Sequence, residues 1–317
     1  MIPKTMPDER GWPLWKRLYQ YQKERFPIAG HGALVAAFSF SAAAYSRICR
    51  GEAGFISGSA FLIGVFTTVT LFLLVRIFDE HKDEEEDARF RSHLPVPRGL
   101  VSLRELRAVG IGVVVVQVIV NACFLPKMLF LYGLVIAYLC LMGKEFFIPR
   151  WLKKHQFWYV TSHMFIIPLI DIYASGLDWL LAGADAPTGL LFFFAVSYMN
   201  GIVLEVGRKV RAPKDEAEGV LTYTHQLGTA RAAWLWLGIL FVTCVLAIFA
   251  ANYAGYGTVA FAVLGLVFVV CSLPAWYFLR GFSAKSAKAI EYASALWTIA
   301  MYLSLGGIPM IQNLWIM

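Results

Sequence analysis

The chain has 317 residues, a formal net charge of +7, 59% hydrophobic residues and only 15% charged residues. This composition excludes an ordinary soluble domain. The five cysteines are scattered without a CxxC pair, which gives no indication of a disulfide framework or a cysteine-based metal site.

Residues 1–28 form a polar, aromatic and basic segment that precedes the first hydrophobic run. The segment has neither the apolar stretch of a signal peptide nor the acid-poor character of a transit peptide. Aromatic residues such as Trp12 and Trp15 lie beside the basic residues Lys16 and Arg17, which is typical of an amphipathic helix at a membrane interface. We therefore predict a cytoplasmic amphipathic arm over 1–28 and one transmembrane domain over 29–317.

Nine apolar runs in the rest of the chain approach the length of about 20 residues that crosses a bilayer. The third and fourth runs are separated only by Leu125-Pro126. The pattern predicts an all-α integral membrane protein with nine transmembrane helices. The predicted spans are 30–49, 55–78, 105–123, 126–143, 156–176, 187–206, 232–252, 257–279 and 289–314.

The distribution of lysine and arginine supports this map. With the N-terminus in the cytoplasm, 24 of the 28 Lys and Arg residues fall in the inner loops, their flanks and the arm. Arg76 lies at the inner end of the second helix, and only Arg47, Arg50 and Lys127 lie on the far side, as the positive-inside rule requires. The basic charge therefore indicates membrane topology and an anionic lipid surface, and nucleic acid is not a predicted partner.

Residues 79–87 form an acidic patch at the end of the second span, with the sequence Asp-Glu-His-Lys-Asp-Glu-Glu-Glu-Asp. If the second helix continues through residue 87, Glu80, Asp83 and Asp87 fall on one stripe, which Asp79 joins. Carboxylates at these spacings repel one another, so the stripe favours bound divalent cations. Mg²⁺ commonly uses one or two carboxylates plus substrate phosphates. The alternative is a solvated charge run, which fits the glutamates at 84–86 best.

With this patch the chain resembles the UbiA superfamily of intramembrane prenyltransferases. The family's first signature, Asn-Asp-x-x-Asp-x-x-x-Asp, is matched in spacing by residues 79–87, with Asp79 in place of Asn and Glu80 in place of the first Asp. Its following segment, Arg-Pro-Leu-Pro-x-Gly, is similar to Leu94-Pro95-Val96-Pro97-Arg98-Gly99. Leu94 replaces the arginine, and Arg98 would supply the missing charge near a diphosphate.

A second polar segment follows the sixth span, where the family has Asp-x-x-x-Asp-x-x-x-Gly-x-x-Thr. Anchored on Gly219 and Thr222, this motif places its second Asp at Asp215 and its first at Arg211. An alternative alignment pairs Asp215 and Glu218 with two family carboxylates, and both alignments remain open. The resemblance thus implies Mg²⁺ ligands at Asp79, Glu80, Asp83, Asp87, Asp215 and Glu218, with Asp83, Asp87 and Asp215 as catalytic residues.

The basic residues after the sixth span have two interpretations. Arg208, Lys209 and Arg211 would hold phosphate directly by charge-assisted hydrogen bonds, or they are topology-setting flanking charges. Pro213 predicts that the sixth helix ends before it. Glu205, in the last turn of the span, is either a metal ligand or the structural partner of Lys209 four residues on.

Further polar residues lie within or beside the spans. Tyr198 and Asn200 lie one to two turns from Glu205 and would line a cavity beneath the diphosphate. His163 is either an acceptor contact or base, or a core histidine with a satisfied hydrogen bond. Lys144, at the end of the fourth span, lies where the family has polar residues near the phosphates.

The resemblance implies a nine-helix bundle around a central cavity and a Mg²⁺-dependent transfer of an isoprenyl group from a polyprenyl diphosphate to an aromatic, lipid or carotenoid acceptor. One alternative is a terpene cyclase of the same family, and another is a non-catalytic permease or cation-binding protein. No obligate protein partner is inferred. We expect a multi-pass protein of a prokaryotic inner membrane with its active site on the cytoplasmic face.

Overall fold

The computed structural model describes residues 9–216 and 219–316. Within these ranges the regular structure is entirely helical, and nine segments are long and apolar enough to cross a membrane. The predicted all-α, nine-span architecture is therefore confirmed, whereas the cytoplasmic placement of the N-terminus stays a prediction. We call the end of the bundle that carries residues 79–102, 144–155 and 209–228 the polar end.

The helices are numbered in chain order. They are α1 Leu14–Arg25, α2 Ile28–Cys49, α3 Gly58–Lys82, α4 Glu84–Phe90, α5 Leu103–Phe124, α6 Leu129–Gly143, α7 Pro149–Lys154, α8 Gln156–Met164, α9 Ile166–Trp179, α10 Leu190–Arg208, α11 Tyr223–Leu227, α12 Thr229–Tyr253, α13 Gly257–Gly281, α14 Ala284–Tyr302 and α15 Ile308–Ile316. Short 3-10 turns lie at Glu9–Gly11, Pro126–Met128, Glu145–Phe147 and Pro213–Asp215, and a π-helical turn spans Leu303–Gly307.

Local sequence explains several helix ends. A capping box begins α5, in which the Ser102 hydroxyl accepts from the Glu105 amide and the Glu105 carboxylate accepts from the Ser102 amide. The predicted break between the third and fourth spans is confirmed, since α5 ends at Phe124 and Pro126 begins a 3-10 turn.

The second span departs from its expected geometry at the acidic patch. Helix α3 ends at Lys82, Asp83 has non-helical backbone angles, and α4 starts anew at Glu84. The expected uninterrupted helix through residue 87 is wrong at this one position. Because the break redirects the chain, spacing along an ideal helix no longer decides which carboxylates share a face.

A buried hydrogen-bond network joins α3, α5, α6 and α9 inside the membrane domain. The Gln117 amide donates to the Thr67 carbonyl at 3.1 Å and the Asn121 amide donates to the Thr67 hydroxyl at 3.1 Å. The Tyr173 hydroxyl donates to Asn121 at 2.7 Å, and the Tyr132 hydroxyl donates to Gln117 at 2.9 Å. Polar side chains in membrane helices are stabilised when they find partners across helix interfaces, and this network supplies them.

The first and ninth spans pack closely against each other. Helix α2 contacts both α9 and the π-helical turn. Gly306 in this turn lies so near the Ser41 backbone that a Cβ atom would overlap it. The Tyr256 hydroxyl donates to the Leu305 carbonyl within the same turn. A residue without a side chain is therefore required where the last span meets the first.

Helix α1 lies at the polar end and is joined to the bundle by ion pairs. Arg17 binds the Glu105 carboxylate with two N–O distances of 2.6 and 3.1 Å. Arg98 in the loop before α5 binds Glu24 at 2.7 and 2.8 Å, and this hydrogen bond holds the pKa of Glu24 below its ordinary value. Tyr21 is buried in a small cluster with Ile77, Leu100, Val101 and Leu106. Helix α1 is thus a packed part of the fold.

Candidate active site

Two polar segments meet at the polar end. We define the first polar segment as residues 79–91 and the second as residues 205–216 and 219–224. Gly219 has a φ of +75°, and a Cβ atom there would overlap the ring of Phe90 in α4. Asp79 is also close enough to Arg208 for their charges to interact. Segments more than 100 residues apart in sequence therefore share one site.

Glu80 faces α1 and is surrounded by cationic donors. Its carboxylate accepts from the Arg25 Nε at 2.6 Å and from the Arg76 Nη2 at 2.9 Å, with the Tyr21 hydroxyl at 3.4 Å. The side chain is only 1% exposed. An ionised carboxylate tolerates such burial because two guanidinium groups offset its charge.

Asp87 lies on the same side of the segment. Its carboxylate accepts from the Arg91 Nη1 at 3.0 Å and lies 3.8 Å from the Arg25 Nη2. Arg25 therefore connects Glu80 and Asp87, although it comes from a helix more than 50 residues earlier. Both carboxylates have cationic partners from the protein itself.

Asp79 and Asp83 are half-buried, one turn apart, and less fully neutralised. The Lys82 Nζ lies 3.3 Å from the Asp79 carboxylate, and an Arg76 nitrogen lies at 4.0 Å. Burial raises the pKa of Asp83 above its ordinary value; the nearby Lys82 opposes this rise, and the charges of Asp79 and Asp87 add to it. Negative charge is therefore in excess at this pair.

The chemistry of this pair fits a divalent cation, because Mg²⁺ binds one or two carboxylates and completes its shell with water and phosphate oxygens. Burial is the main cause of the raised pKa of Asp83, and a bound cation would offset the repulsion from Asp79 and Asp87 that adds to it. No three His, Cys, Asp or Glu side chains form a ready-made ligand group among residues 9–216 and 219–316. Glu218, also predicted as a ligand, lies outside the described residues.

The second segment neutralises its own carboxylate. Glu205 lies in the last turn of α10, and its oxygens lie 2.6 Å from the Lys209 Nζ and 2.7 Å from the Arg208 Nε. The predicted pair with Lys209 is therefore confirmed, and so is the end of the sixth helix before Pro213. The Arg208 side chain is 57% exposed, so its remaining N–H groups can reach a ligand.

The loop that follows contains a carboxylate that the sequence did not indicate. Glu216 accepts hydrogen bonds from the hydroxyl groups of Thr222, at 2.7 and 2.8 Å, and Thr224. Asp215, one residue earlier, is exposed at the end of a 3-10 turn. Arg211 is half-buried, and its backbone amide donates to Thr224 at 3.1 Å.

The other predicted site residues are more dispersed. The Arg98 guanidinium is bound to Glu9 and Glu24 near the arm, and Lys144 is exposed after α6. Asn200 is buried and accepts from the Trp297 indole at 3.1 Å. The Tyr198 ring lies 6.5 Å from that of Phe165.

Tyr159, which the sequence did not indicate, connects the first segment to His163. The Lys82 Nζ lies 5.3 Å from the centre of the Tyr159 ring, and Tyr159 stacks on His163 with ring centres 4.1 Å apart. The spacing of four residues between Tyr159 and His163 places them on one helix face, which was the available signal. The first segment and α8 are thus connected through Lys82, Tyr159 and His163.

The sequence model of the UbiA prenyltransferase family matches residues 33–311, which is most of the chain. The chain belongs to the UbiA prenyltransferase family. The predicted resemblance is therefore confirmed. No curated protein sequence matches the chain significantly.

Two solved structures show the same UbiA fold. The apo structure of a UbiA homologue from Aeropyrum pernix K1 is 17% identical, with a TM-score of 0.66, and the match covers 89% of this chain and 98% of that one. A structure described for digeranylgeranylglyceryl phosphate synthase in membranes is 12% identical, with a TM-score of 0.56, covering 93% and 99% of the two chains.

Proposed function

We propose that this UbiA family member transfers an isoprenyl group from a polyprenyl diphosphate to a hydrophobic acceptor, with Mg²⁺ as cofactor. Family membership supports the general kind of reaction. The observation on which the proposal rests is the meeting of two unlike segments: Asp79, which shares an excess of negative charge with Asp83, is close enough to the exposed cation of Arg208 for their charges to interact. This combination suits a diphosphate bound partly through metal and partly through guanidinium.

In this proposal Asp79 and Asp83 hold Mg²⁺, which when bound would neutralise charge on the departing diphosphate. Arg208 and Lys209 bind phosphate oxygens directly, and Glu205 holds both cations in place. Glu80 and Asp87 act indirectly, because their arginine partners fix the first segment against α1. The proposal therefore assigns Mg²⁺ to Asp79 and Asp83, two of the six ligands expected from the sequence.

The surroundings of the site suit a reactive allylic cation. Ionisation of the donor leaves a carbocation that water would capture, so the walls near C1 must exclude water. The ring of Tyr159 lies beside Lys82, and those of Phe146 and Tyr138 continue the aromatic cluster from His163. The proposal further places the polar end at the cytoplasmic face of a prokaryotic inner membrane, on the basis of the Lys and Arg distribution.

The test is diphosphate release by the detergent-purified chain from farnesyl and geranylgeranyl diphosphate, with and without Mg²⁺. We expect Mg²⁺-dependent release that falls by about 10²-fold or more in Asp83→Asn, since the developing charge loses its counter-ion. Glu85→Gln is the matched control, because Glu85 is exposed in the same acidic patch. Absence of release from both donors, or equal loss in the two variants, would contradict the proposal.

A further inference from the structure

His163 in α8 is buried with one ring nitrogen lacking a partner. The residue is 5% exposed, and its Nδ1 lies 2.8 Å from the backbone carbonyl of Tyr159. A carbonyl only accepts hydrogen bonds, so Nδ1 carries the hydrogen and Nε2 keeps its lone pair. Nε2 is buried and has no hydrogen-bond partner within residues 9–216 and 219–316. Because such an orphaned acceptor is costly, its presence calls for an explanation.

Two aromatic rings contact this histidine, and two more continue the cluster beyond them. Tyr159 stacks on the imidazole at 4.1 Å, and Phe146 meets it edge-on at 6.0 Å. The ring of Tyr138 lies 5.5 Å from that of Phe146 and 5.7 Å from that of Phe165. The aromatic cage is defined by Tyr138, Phe146, Tyr159 and Phe165. Stacked and edge-on rings of this kind favour a flat aromatic guest.

An unusual backbone turn builds one wall of the cage. Glu145, Phe146 and Phe147 all have positive φ values, of 47°, 53° and 61°. Non-glycine residues rarely adopt this conformation, and such backbone strain concentrates at functional sites. Here the turn directs Phe146 onto His163 while Phe147 stays exposed.

The cage lies next to the proposed diphosphate site. Lys82 of the first segment lies over the Tyr159 ring. Asp79 and Glu205 are also near enough to His163 to act on it electrostatically. An acceptor in the cage would therefore lie beside the carbon from which diphosphate departs.

We propose that Nε2 of His163 takes the proton from the hydroxyl group of an aromatic acceptor held in this cage, which makes His163 a catalytic residue of the transfer. The inference rests on the proposed function and names its acceptor class. In the step, the bond between prenyl C1 and the diphosphate oxygen breaks, and diphosphate keeps the electron pair. The acceptor oxygen forms the new bond to C1, and its hydrogen passes as a proton to Nε2.

His155 provides a matched control within the chain. Its Nδ1 also lies 2.8 Å from the backbone carbonyl four residues earlier, and its ring also stacks on an aromatic side chain, that of Trp151 at 4.4 Å. Unlike His163, it is exposed at the junction of α7 and α8. Differences between the two variants therefore report on the cage and not on the local hydrogen bond.

The first experiment measures binding without catalysis. Protein labelled with ¹⁵N-histidine is titrated with phenol and, separately, with anisole, which lacks the hydroxyl donor. We expect one unprotonated ring-nitrogen resonance to move upfield with phenol and not with anisole. The effect should persist in His155→Gln and vanish in His163→Gln, with His163→Asn as a second variant. A phenol effect that is absent, or that survives in both His163 variants, overturns the proposal.

The second experiment measures turnover with geranylgeranyl diphosphate, Mg²⁺ and phenol. The ratio of geranylgeranyl phenyl ether to released diphosphate should fall by about 10²-fold in His163→Gln, the usual contribution of a general base. An unchanged ratio contradicts the assignment. If the wild type releases no diphosphate while phenol still moves the Nε2 resonance, the proposed function fails and the binding site stands.

Discussion

The two polar segments neutralise their charges in different ways. In the first, the partners of Glu80 and Asp87 come from three places, and Arg25 belongs to the arm. In the second, Glu205 pairs with Arg208 and Lys209, which lie within one turn of it at the end of α10. The first segment therefore depends on tertiary structure for its geometry, whereas the second is set locally. In the first segment, negative charge remains in excess at Asp79 and Asp83. These two carboxylates are therefore the part of that segment that is open to an external cation.

The substitution Arg25→Gln should have the largest effect, and it tests whether the first segment depends on its contacts with α1. It removes the cation shared by two buried carboxylates, and breaking a buried ion pair typically costs about 3–5 kcal/mol. We expect a clear fall in the melting temperature of the detergent-solubilised chain. Lys23→Gln, on the exposed face of the same helix, should leave it unchanged. Adding Glu80→Gln to Arg25→Gln should restore part of the loss, and an additive double variant would show that the pair is not coupled.

Arg208→Gln tests the second segment. If its exposed N–H groups bind phosphate, their loss should weaken donor binding by about 10-fold, the effect of one charge-assisted hydrogen bond. The measurement is the KM for geranylgeranyl diphosphate in Mg²⁺-dependent diphosphate release. Arg211→Gln is the comparison in the same segment, and a larger KM change there would reverse the assignment.

Asp83→Asn should stabilise the fold while it abolishes activity. The pKa of Asp83 is raised in the folded chain, so its ionised form is disfavoured there relative to the unfolded chain. In the wild type, the neutral form of Asp83 stabilises the folded chain. This contribution is fully present below the pKa that Asp83 has in the unfolded chain, and it is lost as the pH rises through the higher pKa in the folded chain. At pH 7 we expect a melting temperature about 2 °C higher in the variant. The difference should shrink towards pH 3, and a constant difference would exclude ionisation as its cause.

The smallest effects are expected in the loop after α10. Asp215→Asn should change the free energy of unfolding by less than about 0.5 kcal/mol, because the side chain is exposed. Glu216→Gln should cost about 1 kcal/mol, since it weakens hydrogen bonds from Thr222 and Thr224. Chemical unfolding of both variants in the same detergent distinguishes them, and a reversed order would show that Asp215 has the structural role.

Features governed by neighbouring residues could be predicted from the sequence. The nine spans follow from apolar runs, the break at Leu125-Pro126 from proline chemistry, and the pair of Glu205 with Lys209 from helical spacing. Features governed by distant contacts could not. The turn at Asp83 has no proline or glycine to signal it, and the position of Arg25 depends on how α1 packs.

The candidate site shows the same division. Spacing placed His163 in a span but could not show that its Nε2 lacks a partner, because that depends on what α6 and α10 leave around it. Glu216 and Asp215 are neighbouring carboxylates, and the hydroxyl groups that bind Glu216 come from Thr222 and Thr224, farther along the chain. The position of Phe146 depends on three consecutive residues with left-handed backbone angles. None of the three is a glycine, so the sequence does not indicate this turn.

The close packing of Gly306 on Ser41 has a consequence for biosynthesis. Helix α2 enters the bilayer first of the nine spans, yet its partner in the ninth span emerges some 265 residues later. At ordinary translation rates of about 5–20 residues per second, this interval is on the order of 10–50 s. During that time the small serine and alanine side chains of α2 face lipid or an insertion chaperone. If the ribosome stalls before Leu303, the face of α2 that packs against the π-helical turn would therefore stay uncovered, and the nascent bundle would be exposed to membrane proteases.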